Sequence, residues 1–307
     1  VRRRIWSELL AYDRLCDRTL LTALARREID LVVAVFPWTL DGLVRVTTAC
    51  ADAGVRVSLW PMLADADGRW ASSSNAEPFA RFALQVAAHA REIVFDLEPP
   101  FEALRALSRG RLASFPRRAA FGGAVRTLAA ASDALRARGV SVHAAALPVV
   151  LLDRPDGRAA WQSLLGTPVE GVRYDSVSVM AYTTMIEGWS RGLVRRRDAR
   201  VVLHDIARST ADRFGARASL SLGAVGAGAF GDEPVYRSPS ELADDVAVAR
   251  AAGVDDLALF DLAGVVRRRP VEAWLDALVT TEPAASSPVA GRRVDLLRWL
   301  ARSATRA

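Results

Sequence analysis

Asp96 and Glu98 lie two residues apart at the close of the run Glu92-Ile93-Val94-Phe95-Asp96-Leu97-Glu98, directly ahead of Pro99-Pro100. In a β-strand that spacing sends both carboxylates to one side and Leu97 to the other. With Leu97 packed outward, the two acids face a shared interior. Burial and mutual repulsion there raise their pKa values and keep one of them protonated near neutral pH. A protonated acid beside an ionised one is what cleavage of a glycosidic bond requires: one donates a proton to the leaving oxygen, the other stabilises developing positive charge. The competing reading of the pair is structural, two strand-end carboxylates bound to arginines of a loop.

Sugar rings present apolar faces that lie flat on indole. Trp38, Trp60 and Trp189 each stand near the end of an apolar run and are candidate substrate-binding residues, with core or rim packing as the alternative for each. Glu8 and Asp261 are further candidates for substrate contact, and together they could hold a divalent metal through oxygen ligands. Asp153 and Glu187 are two more strand-end acids. The segment Gly223-Ala224-Val225-Gly226-Ala227-Gly228 is glycine-rich enough for a phosphate site or simply for a flexible loop. His89, His143 and His204 are scattered without metal-motif spacing, and no histidine metal site or cofactor is expected. Cys16 and Cys50 exclude a disulfide framework; they read as buried thiols, with a bond between neighbouring helices as the alternative.

What must position these groups is a repeat of short β-branched runs and longer helical patterns, the mark of β/α units around a parallel sheet. The sequence predicts eight such runs, at residues 5–12, 31–36, 55–60, 92–98, 141–149, 176–182, 218–223 and 256–261. The first, followed by a helix over 13–27, reads equally well as helix throughout. Proline cannot donate to a sheet ladder, so the fourth run stops at Pro99. The long connection after it, interrupted by glycine and proline between Gly110 and Gly123, has room for two helices or a lid. The expected fold is a single (β/α)8 TIM barrel over residues 1–280, closed by a helix over 271–279. Residues 281–307 read as a linker rich in Pro, Ala and Ser and a C-terminal amphipathic helix that carries Trp299. In such a barrel the functional groups gather where strands end.

The chain of 307 residues, 51% of them hydrophobic, is long enough to bury the core of one such domain. Its net charge of +6 comes from 41 basic residues that are all arginine, against 35 acidic ones. Arginine triplets at 2–4, 195–197 and 267–269 are far apart and lack interleaved aromatics, so they read as solvated surface and no nucleic-acid partner is expected. No apolar run approaches the ~20 residues of a membrane span. The sequence opens at Val1, compatible with removal of an N-terminal leader and an extracytoplasmic location; localisation stays open.

The fourth and sixth runs resemble the chitinase-like glycoside hydrolases of family eighteen. In that family the fourth strand ends in Asp-x-Asp-x-Glu and the sixth carries Met-x-Tyr-Asp. This chain has Val94-Phe95-Asp96-Leu97-Glu98 and Met180-Ala181-Tyr182-Thr183 on the strands of the same number. The resemblance implies that Glu98 is the general acid, that Asp96 orients and stabilises a substrate acetamido group, and that Tyr182 hydrogen-bonds the same intermediate. Val94 and Thr183 depart from the pattern, each standing where the family has an aspartate, and Phe260-Asp261 stands where the eighth strand usually brings tryptophan. Leu97-Glu98-Pro99 is also similar to the Asn-Glu-Pro ending of retaining cellulase-like barrels, but those need a glutamate after strand seven, where this chain has Gly223-Ala224-Val225-Gly226. A substrate-assisted mechanism needs no protein nucleophile and agrees better with these residues.

The expected function is therefore a glycoside-hydrolase-like barrel cleaving a polysaccharide or N-acetylated amino sugar, with a carbohydrate as its partner. The alternatives are a non-catalytic carbohydrate-binding barrel and a metal- or phosphate-dependent barrel enzyme using Asp261 and Glu8.

Overall fold

Strand and helix alternate along the whole described chain. In the computed structural model, which describes residues 1–108, 118–153, 160–190, 192–228 and 231–281, the first half runs β1 (Arg3–Ser7), α1 (Tyr12–Leu15), α2 (Arg18–Ala25), β2 (Ile29–Val35), α3 (Leu43–Asp52), β3 (Val57–Pro61), α4 (Ala76–Val86) and β4 (Glu92–Leu97). Next come α5 (Phe101–Ser108), α6 (Arg118–Ala137), β5 (Ser141–Ala146), α7 (Ala160–Leu165) and β6 (Ser176–Met180). The chain continues with α8 (Thr183–Trp189), α9 (Arg196–Phe214), β7 (Ala218–Gly223), α10 (Pro239–Ala251), β8 (Leu257–Phe260), α11 (Leu262–Arg267) and α12 (Val271–Val279). Each strand pairs in parallel with the next, and β1 closes on β8 through Arg3 opposite Leu257 and Ile5 opposite Leu259. This is a single (β/α)8 barrel.

The first strand is the main correction to the sequence reading. It spans Arg3–Ser7 instead of 5–12, and the helix expected over 13–27 is split into α1 and α2, the second capped by Asp17, whose side chain accepts from the amides of Thr19 and Leu20. Residues 282–307, where the linker and amphipathic helix are expected, lie outside the described residues, as does the whole connection between α5 and α6. Cys50 is buried, but Cys16 is only partly so, and both are free thiols.

Period-two alternation divides the strand side chains into two cores. On β4, Ile93, Phe95 and Leu97 pack outward beneath the helices in the larger apolar cluster. Val94 faces the barrel axis with Trp6, Val32, Trp60, Met62 and Ala145. The bottom of the axis is polar: Arg4 is ion-paired with Asp256 at 2.5 Å, Arg2 with Glu92 at 2.6 Å, Ser58 donates to Glu92 at 2.7 Å, and His143 Nδ1 bonds Ser176 at 2.8 Å. Above this layer Trp6 and Trp60 meet edge to face, 4.9 Å between ring centroids, and the Trp6 indole donates to Ser221 at 3.1 Å. The two indoles form a floor on which the wider upper end rests.

Candidate active site

Above that floor is a cavity of about 410 Å³ lined by Trp6, Glu8, Trp60, Trp70, Asp96, Glu98, Leu104, Leu147, Pro148, Met180, Tyr182, Met185, Ile186, Trp189, Glu233 and Phe260. The outward packing of Leu97 brings Asp96 and Glu98 inward, so both are nearly shielded from solvent at 2% and 9% exposure. Burial first, then Glu98 and Glu8, hold Asp96 well above the usual carboxylate range. Burial and the charge of Glu8 push Glu98 up to about 8, against the pull of the Arg69 guanidinium. The pair therefore holds a proton at neutral pH, the condition for a general acid. Asp96 Oδ1 and the Trp70 indole nitrogen are buried without a hydrogen-bond partner among the described residues. Unsatisfied groups of this kind cost about 1–3 kcal/mol each, which hydroxyl or amide groups of a bound ligand would offset.

Glu8 stands just beyond β1, on the inward face shared by Arg4 and Trp6, and is ion-paired with Arg69. Burial, with Asp261 and Glu233 nearby and Arg69 opposing, brings Glu8 to about 7. Arg69 has a left-handed backbone (φ 58°), bonds Asp65 at 2.7 Å and lies 4.7 Å above the Phe101 ring. Tyr182, at the β6 exit, stacks on Phe260 with centroids 5.8 Å apart. The ring is also packed so close to Gly223 that a Cβ there would come within 3.1 Å of it. Burial and the four acids Glu98, Asp96, Glu8 and Asp261 raise the Tyr182 hydroxyl well above its ordinary value, so it is a hydrogen-bond donor throughout the working pH range.

The residue after it turns the other way. Thr183 donates to the buried carboxylate of Asp245 on α10, which also accepts from the Tyr236 hydroxyl at 2.9 Å, Arg196 at 3.0 Å and Arg200 at 3.2 Å. Thr184 donates to the Gly223 carbonyl and accepts from the Ala224 amide, both at 2.8 Å, tying the exits of β6 and β7 together.

No known family model matches this sequence, and no curated protein matches it. Among solved structures, the glycoside hydrolase domain of PgaB (BpsB) from Bordetella bronchiseptica is similar with a TM-score of 0.59 at 14% identity, over 92% of this chain and 100% of that one. The spore cortex-lytic enzyme SleL of Bacillus megaterium QM B1551 has a TM-score of 0.54 at 12% identity, over 92% of this chain and 74% of that one. The D-psicose 3-epimerase of Clostridium cellulolyticum H10 covers 100% of this chain and 98% of its own at a TM-score of 0.47 and 11% identity. At these identities the first two likenesses show a shared barrel fold.

Of the residues singled out in the sequence, Glu8, Trp60, Asp96, Glu98, Tyr182 and Trp189 line the cavity. Trp38 does not: the turn Pro37–Gly42 carries it onto the rim, where it stacks on Phe36 at 4.8 Å and is 66% exposed. Asp261 is not among the lining residues either: its Oδ1 caps α11 by accepting from the Gly264 amide at 3.0 Å. Asp153 caps α7 through the amides of Trp161 and Gln162, and Glu187 pairs with Arg237 at 2.5 Å. The glycines after β7 serve close packing: a Cβ on Gly226 would meet Asp261 Oδ1 at 2.5 Å and Gly264 Cα at 2.8 Å. Among the described residues no group of three or more His, Cys, Asp or Glu is placed to hold a metal ion.

The sequence reading missed Trp6, Trp70, Arg69 and Glu233. Trp6 was within reach, because it alternates with Glu8 on the first strand. The others sit on loops, which carry no periodicity to read.

Proposed function

We propose that this barrel is a glycoside-hydrolase-like enzyme that cleaves a polysaccharide or N-acetylated amino sugar by substrate-assisted acid catalysis. The observation that carries the reading is the buried, inward-facing pair Asp96 and Glu98 in an aromatic cavity, with Glu98 pushed up to about 8 and so protonated at neutral pH. In this scheme Glu98 gives its proton to the glycosidic oxygen as the bond from that oxygen to the anomeric carbon breaks. The substrate's own acetamido oxygen closes on the anomeric carbon, with Asp96 accepting from the acetamido N–H and Tyr182 donating to the acetamido oxygen. Water then opens the cyclic intermediate, returning the proton to Glu98 by microscopic reversibility. Trp60 and Trp189 supply apolar faces for sugar rings. PgaB shows that a barrel of this general shape accommodates a glycoside hydrolase.

The second reading is a barrel that binds carbohydrate without cleaving it. It is favoured by Val94 and by the outward turn of Thr183 to Asp245, which leave the acid pair without a further acid from β4 or β6. One experiment separates the two: hydrolysis and binding of chito-oligosaccharides and other glycans by the parent protein and by Glu98→Gln, whose amide keeps the shape but cannot act as an acid. Cleavage lost with binding retained supports the enzyme. Undiminished cleavage in Glu98→Gln overturns the assignment, and binding without cleavage by the parent supports the second reading.

A further inference from the structure

The cavity has two unlike sides. Eight strands in a closed ring place β1 across the mouth from β5. The β1 side carries carboxylates, Glu8 and also Glu233, which lies so near the ring of Phe260 on β8 that a Cβ on Gly228 would meet Glu233 Oε1 at 2.7 Å and that ring at 2.8 Å. On the β5 side, above the strand ends and among the described residues, the wall is aliphatic: Leu104 of α5, Leu147 and Pro148 just past β5, and Met185 and Ile186 of α8. Each of these is only half-buried, so the wall meets solvent in the free protein. None of their side chains carries an N–H or O–H group.

The fold of α8 explains half of this wall. Its polar residues are engaged elsewhere: Thr183 donates to Asp245, Thr184 to the Gly223 carbonyl at 2.8 Å, and Glu187 pairs with Arg237 at 2.5 Å. Met185, Ile186 and Trp189 share the face that remains, since 185 and 186 lie four and three residues before 189, and all three line the cavity. A sugar ring carries a hydroxyl on most of its carbons, and each one that leaves water without a partner costs free energy. The five aliphatic side chains supply neither such partners nor an aromatic face for the ring to lie on. What they do favour is covering by another apolar group.

We propose that the cavity takes a glycoside with an apolar aglycone, alkyl or aryl, whose sugar sits among Asp96, Tyr182 and the β1-side carboxylates while the aglycone lies along the aliphatic wall. This rests on the reading of Asp96 and Glu98 as the catalytic pair and narrows its substrate to an N-acetylated amino sugar joined to a hydrophobic group. Glu98 and Leu104 both line the cavity, and α5 begins three residues after Glu98, so the proton donor stands at the α5 end of the wall. A leaving oxygen held by Glu98 directs the group it bears along that wall. Cleavage then releases the aglycone as an alcohol or phenol: the Glu98 proton goes to the departing oxygen, and water supplies the new anomeric hydroxyl and returns a proton to Glu98.

The test is calorimetric binding of methyl, butyl, hexyl and phenyl N-acetylglucosaminides, in both anomeric forms, and of the N-acetylglucosamine disaccharide to Glu98→Gln, with cleavage followed in the parent. Each added methylene should tighten binding about twofold, half the transfer free energy of a fully covered CH2, because the wall covers one side of the chain. The hexyl or the phenyl glycoside should bind about tenfold tighter than the disaccharide, and the larger of the two gains tells an alkyl from an aryl aglycone. In Leu104→Gln/Ile186→Gln, added to Glu98→Gln, the gain of that ligand over the methyl glycoside should fall about tenfold. If neither ligand exceeds the disaccharide, or if the gain survives the wall substitutions, the proposal is overturned and cleavage of a polysaccharide stands untouched. A gain that depends on the wall in a protein that cleaves none of these glycosides would uphold the wall's role and sink the catalytic reading instead.

Discussion

Replacing Asp245 tests how the β6 exit, and with it Tyr182, is held. Its carboxylate accepts from Thr183, Tyr236, Arg196 and Arg200 and is fully buried. Burial outweighs the two guanidiniums and leaves Asp245 above the usual carboxylate range, so its charge adds little net stability and the hydrogen bonds carry the effect. Asp245→Asn keeps the shape and one acceptor oxygen, and should cost about 1–2 kcal/mol, roughly one net hydrogen bond. Asp245→Ala leaves two hydroxyls and two guanidiniums without their acceptor and should cost about 3–5 kcal/mol. The Arg196 and Arg200 side chains are 13% and 24% exposed, so water recovers part of the loss and the lower end of that range is expected. Urea denaturation of the parent and both variants measures the difference. Equal losses in Asn and Ala would mean that charge, not hydrogen bonding, holds the element; a loss below about 1 kcal/mol in Ala would refute the network's role altogether.

Two further outcomes follow from the same structure. Glu8 at about 7 and Glu98 at about 8 bind more protons folded than unfolded, so their contribution to stability is full below their unfolded value of 4.5 and is lost as pH rises through 7 to 8. His143, depressed to about 4 by burial and then Arg4, acts oppositely: its contribution is present above its unfolded value of 6.5 and lost as pH falls through 4. Thermal unfolding from pH 3 to 9 should show both flanks, with the alkaline one flattened in Glu98→Gln; an unchanged alkaline flank in that variant counts against the buried acid. For the aromatics, Trp189→Ala should weaken binding of a short oligosaccharide about tenfold, or about 1.4 kcal/mol, because Trp189 lines the cavity. Trp38→Ala, out on the rim, should change it less than about twofold. Isothermal titration calorimetry gives both numbers, and the reverse ranking would show that the ligand sits on the rim.

The barrel itself was legible because β/α alternation is a periodic signal. The placement of Asp96 and Glu98 followed from one fact, that Leu97 is apolar and must be covered by helices. Trp60 and Tyr182 were legible for the same reason, since they occupy inward positions on or just past their strands. Trp38 was not, because a single turn after β2 decides whether an indole points into the mouth or along its edge, and nothing in Pro37-Trp38-Thr39 encodes that choice. Asp261, expected to contact substrate, gives one carboxylate oxygen to the amide of Gly264, because a strand-end acid serves equally well as a helix cap. Arg69 and Glu233 became visible only once folding brought distant loops over the barrel mouth. The expected linker and helix over 281–307 fall almost wholly on residues the structure does not describe.

The Trp6–Trp60 floor has a consequence for traffic. Below it the axis is packed with Arg4, Asp256, His143 and Glu92, so the cavity is reached from the strand C-terminal end, and both arrivals and departures use that side. On the proposed reading, a ligand cut within it would leave two fragments that retreat past the rim by which the parent molecule came in. The order of their withdrawal would then govern how soon water reaches the acid pair, and a fragment slow to leave would exclude the next molecule as effectively as an inhibitor.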